Sequence, residues 1–337
     1  MTSALLRRTL LGRTLLAAPA LILARPAIAQ EDVRAAAARL EPLRGLIVAR
    51  QGEILLEQRI AGPALDRPVN VKSVSKAIIA ALAGAAIARG LLEGPDQRIA
   101  PLLADRLPRD ADPRLQRITL DHLLSMRSGL ERTSGVNYGR WVASPDWVRH
   151  ALARPFVAEP GGPMLYSTGN SHLVSAILTR VARRSTHALA EEWLGRPLGI
   201  AIPPWPRDPQ GIFFGGNDML LSPRSMLVFG EMIRAGGLHE GRRVLPEGWV
   251  ATCFAPRTAS VFTGAAHGYA WFTATGPGPV RHYAWGFGGQ MIHVVPSLGA
   301  TVVMTSDPTQ RSGGAQGHAR ALHGLMEGTI LPLLAQG

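Results

Sequence analysis

The spacing of apolar and polar residues changes period twice along the chain. From Gly45 to Gln58 the segment GLIVARQGEILLEQ carries two β-rich runs around Gln51-Gly52, the pattern of a hairpin. From about Val71 to Arg89 the chain turns Ala-rich and apolar on nearly every side, which predicts a helix buried all round and stopped by Gly90. Shorter helical patterns follow over Ile118–Leu124, closed by Ser128-Gly129, then over roughly Ser171–Arg184 and Ser222–Ala235, each set off by Gly, Ser or Pro. Strand-like runs return near the C-terminus: Tyr269–Thr273, His282–Trp285, Gln290–Val295 and Ala300–Thr305 read as successive antiparallel strands, before a last helix over about Ala315–Leu333. Strands at both ends and helices between them predict an α+β chain. One antiparallel sheet is built from both termini and flanked by helices, with a helical insertion. There is no internal repeat or low-complexity linker, so residues 30–337 read as one domain.

The opening MTSALLRRTLLGRTLLAAPALILARPAIAQ has basic residues, an apolar run and Ala27-Ile28-Ala29 before Gln30. That order is an export signal over residues 1–29. Arg7-Arg8-Thr9-Leu10-Leu11 resembles a twin-arginine signal, and an ordinary secretory signal with incidental arginines is the alternative. The run Leu15–Leu23 is too short to span a bilayer and holds Pro19, so no integral membrane segment is expected in the mature chain. The expected location is periplasmic, or otherwise exported.

Composition narrows the choices. At 337 residues, with 46% hydrophobic and 18% charged, the chain is neither a disordered tail nor a disulfide-stapled scaffold. It is long enough to bury one or two cores. The net charge of +12 falls to +8 without residues 1–29, which hold four arginines and no acid. The remaining arginines are scattered without interleaved aromatics, which speaks against nucleic-acid binding. Cys253 is the only cysteine, which excludes an intrachain disulfide or a thiolate metal site, and it reads as a small buried apolar side chain. The ten histidines show no metal-ligand spacing, so no metal and no cofactor are expected. The expected partner is a small-molecule substrate; the oligomeric state is not legible.

Of 36 basic residues only two are lysines, Lys72 and Lys76, and both flank one serine. The G-x-S-x-G, H-E-x-x-H, Walker and G-x-G-x-x-G signatures are absent. What remains is Ser73-Val74-Ser75-Lys76 at the start of the Ala-rich helix. An i, i+3 spacing puts Ser73 and Lys76 on one helical face. A serine hydroxyl attacks only when a base takes its proton, and a lysine whose ammonium is destabilised by burial can be that base. The helix N-terminus favours a developing oxyanion at the same place. A tetrapeptide this short also occurs on ordinary helix surfaces. Here its flanks, Val71, Val74, Ala77 and Ile78, are apolar, and a lysine among them is costly without a role. Lys72 reads as a solvated residue at the helix start.

Ser73-Val74-Ser75-Lys76 after an N-terminal hairpin resembles the penicillin-recognising serine hydrolases: class C β-lactamases, D-alanyl-D-alanine peptidases and related esterases and amide hydrolases. ITLDHLLSMRSGL (Ile118–Leu130) is similar to the family's T-x-x-x-L-L-x-x-x-S-G-L segment, which packs beneath the site. Tyr166-Ser167-Thr168 stands where the family carries Tyr-x-Asn, Leu220–Arg224 resembles its later helix start, and Ala284-Trp285-Gly286 stands where β-lactamases carry Lys-Thr-Gly. The ordered set covers nearly all of residues 40–310. The resemblance implies a β-lactamase/transpeptidase-like fold with Ser73 as nucleophile, Lys76 and Tyr166 sharing proton transfer, and the backbone N–H groups of Ser73 and Phe287 as oxyanion donors. A phenol beside an ammonium is expected to have a lowered pKa.

Two departures bear on substrate. Thr168 replaces the Asn of Tyr-x-Asn, with Asn170 as a substitute two residues on, and Ala284 replaces the Lys of Lys-Thr-Gly. Losing that Lys and its Thr removes the charge that selects penicillins and peptidyl-D-alanine. YSTGN and WGFGGQ look closer to the branch of 6-aminohexanoate-dimer hydrolases and class C-like esterases. An ester or small linear amide is the first expectation, with Trp285, Gly286, Tyr138, Thr168 and Asn170 lining the pocket. A β-lactamase or D-alanyl-D-alanine carboxypeptidase, and a non-hydrolytic penicillin-binding-like sensor, are the alternatives. Most of Trp141, Trp147, Trp205, Phe213 and Phe214 are expected to anchor loops to the core.

Overall fold

A computed structural model describes residues 19–274, 276, 278–309 and 315–336, with side chains from residue 28 except at 315 and 316. Residues 1–18 of the expected export signal therefore lie outside the described residues. The hairpin forms as expected: β1 (Leu43–Arg50) and β2 (Glu53–Arg59) meet at Gln51-Gly52, whose φ values of 51° and 88° are those of a primed turn. The C-terminal strands follow as β3 (Phe272–Ala274), β4 (Arg281–Gly286), β5 (Gln290–Val295) and β6 (Ala300–Ser306). β1 pairs antiparallel with β6, so the first and last strands lie side by side within one eight-stranded sheet. The sheet is built from both ends of the chain.

Alternation along these strands feeds two cores. Leu46, Val48, Met291, Val302 and Met304 face a layer holding Val33 and Ala37 of α1 (Pro19–Ala38) and Leu322 of the last helix. Ile47, Ala49, Ile292, Val294 and Val303 face the larger core with α2 (Ser75–Ala88). α2 is buried from Ser75 to Ala86, so its all-round apolar pattern reports a central position. It ends as predicted: Gly90 takes φ +67°, its N–H donates to Ile87 O, and Leu91 N–H donates to Ala86 O. Gly84 lets the Trp249 indole lie against the helix, where Trp249 Nε1 donates to Ala80 O at 3.1 Å.

The middle of the chain supplies α3 (Leu120–Leu124), α4 (Thr168–Ala182) and α5 (Pro223–Arg234). Thr119 caps α3 reciprocally with His122, and Ser222 caps α5 with Pro223 in the first turn. Asp121 joins this region to the sheet edge, accepting from Arg127 at 2.6 Å, Arg257 at 2.5 Å and Tyr269 Oη at 2.7 Å. The final helix is longer in span than predicted and interrupted: Ala315–Leu325 and Leu331–Ala335 flank a π turn at Met326–Ile330. No helix among the described residues is long and apolar enough to cross a membrane. Cys253 is buried, and burial raises its thiol pKa far above the usual range.

Candidate active site

Ser73 stands in a short 3-10 turn, Lys72–Val74, that runs directly into α2, and Lys76 follows in the first turn of the helix. The i, i+3 relation survives this break in helical type. Lys76 Nζ donates to Ser73 Oγ at 2.9 Å, to Gly216 O at 2.6 Å and to Thr168 Oγ1 at 3.3 Å. The lysine is 3% exposed. Desolvation of its ammonium, opposed only in part by the Asp218 carboxylate, pushes its pKa down to about 7. Near neutral pH roughly half the amine is therefore uncharged. Its lone pair is within reach of the Ser73 proton.

The Tyr166 ring centroid lies 5.0 Å from Lys76 Nζ, and its phenol is close to Ser73. Its pKa moves opposite to the expected lowering: burial pushes it up to about 12, with the nearby Ser73 hydroxyl opposing. The reason is physical. The neighbouring amine is itself held near neutrality, so it offers little charge to stabilise a phenolate, while burial penalises that phenolate fully. Tyr166 keeps its proton at neutral pH.

Thr168 takes the place beside Lys76 and is held from behind by Ser134, whose Oγ lies 3.0 Å from Thr168 Oγ1 and accepts from Thr168 N at 2.9 Å. Asn170 does not reach the lysine. Further along α4, its Oδ1 accepts from Ser128 Oγ at 3.1 Å and its Nδ2 is buried without a partner. The expected substitution of Asn170 for the missing Asn is thus not seen, because α4 begins at Thr168 and carries position 170 into the packing beneath the site.

Gly286 ends β4 against the turn that presents Ser73. A Cβ there would meet Val71 O at 2.4 Å and Lys72 Cβ at 3.1 Å, so only glycine lets the strand come this close. The Phe287 and Ser73 amides each follow within two residues of that contact. The Phe287 ring is exposed. Trp285 points to the opposite face of the sheet from Ala284 and Gly286. There it lines a cavity of about 280 Å³ with Phe262, Thr263, Tyr283, Arg320 and His323. Phe262 links this cavity to the site, its ring 5.8 Å from Tyr166 and 6.4 Å from Trp285. Tyr138 sits behind the site, stacked on Phe214 at 6.5 Å, with its Oη accepting from Asn217. Trp141, Trp147, Trp205, Phe213 and Phe214 are buried loop anchors.

Sequence reasoning missed the segment Gly215-Gly216-Asn217-Asp218, whose Gly216 carbonyl accepts from the Lys76 amine. Its glycines are packing requirements: a Cβ on Gly215 would fall 2.3 Å from Ser171 O, and one on Gly216 2.7 Å from Ser171 Cβ. Gly215 N donates to His172 Nδ1 at 3.3 Å, so the imidazole proton is on Nε2, which donates to Asp208 at 3.0 Å. The Gly-Gly pair was the available signal. Lys72 is also corrected: it is not freely solvated but ion-paired to Asp218 at 2.8 Å, on a backbone at φ +50° that costs a non-glycine residue about 1 kcal/mol.

The Beta-lactamase family model matches residues 36–325. No curated protein matches significantly. Among solved structures, a Bacillus anthracis protein assigned as a 6-aminohexanoate-dimer hydrolase superposes with TM-score 0.71 at 15% identity, over 87% of this chain and 79% of that one. EstCE1, described as a hydrolase with promiscuous acyltransferase activity, gives 0.68 at 18% identity over 94% and 98%. A class C β-lactamase from Rhodobacter sphaeroides gives 0.67 at 17% identity over 90% and 99%. At such identities these structures establish a shared fold.

Proposed function

The chain belongs to the Beta-lactamase family, and from that premise we propose that it is a serine hydrolase that acylates Ser73 with an ester or small linear amide. The carrying observation is the buried Lys76 amine 2.9 Å from Ser73 Oγ. Neutral Lys76 takes the Ser73 proton as Oγ attacks the carbonyl carbon. The Ser73 and Phe287 amides hold the oxyanion, and Tyr166 passes a proton to the leaving oxygen or nitrogen. Water then attacks the acyl-enzyme, losing its proton through the same pair and restoring Ser73. No metal or cofactor is invoked.

Ala284, where a β-lactamase has lysine, favours an uncharged acyl partner. A second reading, hydrolysis of β-lactams or peptidyl-D-alanine, is favoured by Arg320, a cation lining the same cavity as Trp285. Turnover of a short-chain p-nitrophenyl ester is expected to exceed that of a chromogenic cephalosporin, and the reverse order selects the second reading. A fluorophosphonate probe should add to Ser73 by mass spectrometry; an unmodified Ser73 in the folded protein leaves the non-hydrolytic sensor.

The pH dependence follows from the two shifts. Lys76 must be deprotonated, so kcat/KM for the ester should rise with pH through a midpoint of about 7. Tyr166 keeps its proton up to about 12, so no matching decline is expected on the mildly alkaline side. A flat profile across neutral pH would remove Lys76 as the base.

We also propose that the mature chain begins at Gln30 outside the cytoplasm. Cleavage after Ala29 would leave Val33 and Ala37 packed in the core, with Arg34 Nη1 donating to Glu57 O at 3.2 Å. Fractionation of expressing cells with N-terminal sequencing tests this. An intact Met1 end on the exported protein counts against it.

A further inference from the structure

Beyond the nucleophile and its base, three side chains form a closed ring next to Ser73. Lys72 Nζ and Asn70 Nδ2 each donate to Asp218 Oδ1 at 2.8 Å, and Asn70 Oδ1 accepts from Lys72 N–H at 2.9 Å. Two residues of this ring, Lys72 at φ +50° and Asp218 at φ +60°, hold left-handed backbone conformations without being glycine. Asp218 ends the segment whose Gly216 carbonyl accepts from Lys76. The next residue, Met219, donates its N–H to Ser75 Oγ, which itself donates to Lys72 O at 2.5 Å. The ring therefore ties the 216–219 segment to the turn that carries Ser73. A lysine is retained where glycine would sit without strain.

We propose that Lys72 is a positioning residue for Lys76: its ion pair with Asp218 clamps Gly216 onto the Lys76 amine and offsets part of the carboxylate charge that Lys76 faces. The charged and titratable groups around Lys76 come from several elements. Tyr166, at the entrance to α4, keeps its proton, and His267, from the sheet edge, is pushed by burial to about 3 and is neutral. Lys72 comes from the turn before α2. Asp218 is the acid acting on Lys76, and Lys72 is the cation bonded to it. Without Lys72 the carboxylate acts alone and draws a proton onto Lys76; without the carboxylate, Lys72 repels one.

The inference rests on Lys76 being the base only for its kinetic consequence, and the test separates the two. Lys72→Gly removes the ion pair while relieving the left-handed backbone, so loss of fold is not expected and the thermal midpoint checks it. With two lysines in the chain, 13Cε-lysine labelling leaves a single signal, Lys76, in that variant. Its titration midpoint should rise by about one pH unit in Lys72→Gly and fall by a similar amount in Asp218→Asn. The rising limb of kcat/KM should follow, giving about a tenfold loss near pH 6 in Lys72→Gly that recovers in alkali. Midpoints within about 0.2 unit of the parent, or moving the same way in both variants, overturn the inference. Opposite shifts in the titration with an unmoved kinetic limb support it and overturn instead the reading of Lys76 as base.

Discussion

Ser73→Ala is expected to abolish turnover, with a loss on the order of 10⁴-fold or more. The side chain supplies the hydroxyl nearest the Lys76 amine, at 2.9 Å against 3.3 Å for Thr168, and its loss removes the proposed nucleophile. Residual rate would come from the oxyanion donors acting on water. The fold should persist. Ser73 is partly exposed in its turn, and the Lys76 amine keeps its bonds to Gly216 and Thr168. The measurement pairs ester turnover and probe labelling with thermal denaturation: an unchanged unfolding midpoint with no adduct is the expected result. Activity within tenfold of the parent would remove Ser73 from the mechanism.

Lys76→Met is expected to lower kcat by about 10³-fold or more, since the base is lost while the volume is kept. Its second signature is in stability. The unfolded chain holds the Lys76 proton up to about 10.5 and the folded chain only to about 7, so the parent gains stability as pH rises across that window. Below about 7 the parent carries the whole cost of a buried ammonium, a few kcal/mol, and methionine does not. The variant should therefore be more stable than the parent in mild acid, with the advantage fading toward pH 10. Denaturant titrations at several pH values measure this. A constant difference across the range would mean that Lys76 is not depressed.

Much of the fold was legible because local chemistry and tertiary environment agree there. Gln51-Gly52 adopts the turn its composition favours, Gly90 ends α2 in the left-handed conformation, and Ser222-Pro223 starts α5. The all-round apolar pattern of Ala77–Ala86 meant a central helix, and it is one. The β4 glycine was legible too, as part of an ordered motif set. Tyr166 shows where such reading stops. A phenol beside an ammonium suggests a lowered pKa, yet the sign depends on how much water each group keeps, and that is a property of the packed site.

The chain by itself determined the pairing of Ser73 with Lys76, because an i, i+3 spacing holds whether the turn is 3-10 or α. It also determined the absence of a lysine before Trp285, and the sheet built from both termini. Tertiary structure decided what those residues can do. Residues 216–218 lie far along the chain from Lys76, and no periodicity announces that Gly216 O and Asp218 act on it, with Lys72 ion-paired to Asp218. Their effect is electrostatic and falls off with distance rather than with sequence separation. Whether Lys76 is a surface cation or a neutral base near pH 7 is therefore settled by burial and by the clamp around it, not by the tetrapeptide that contains it.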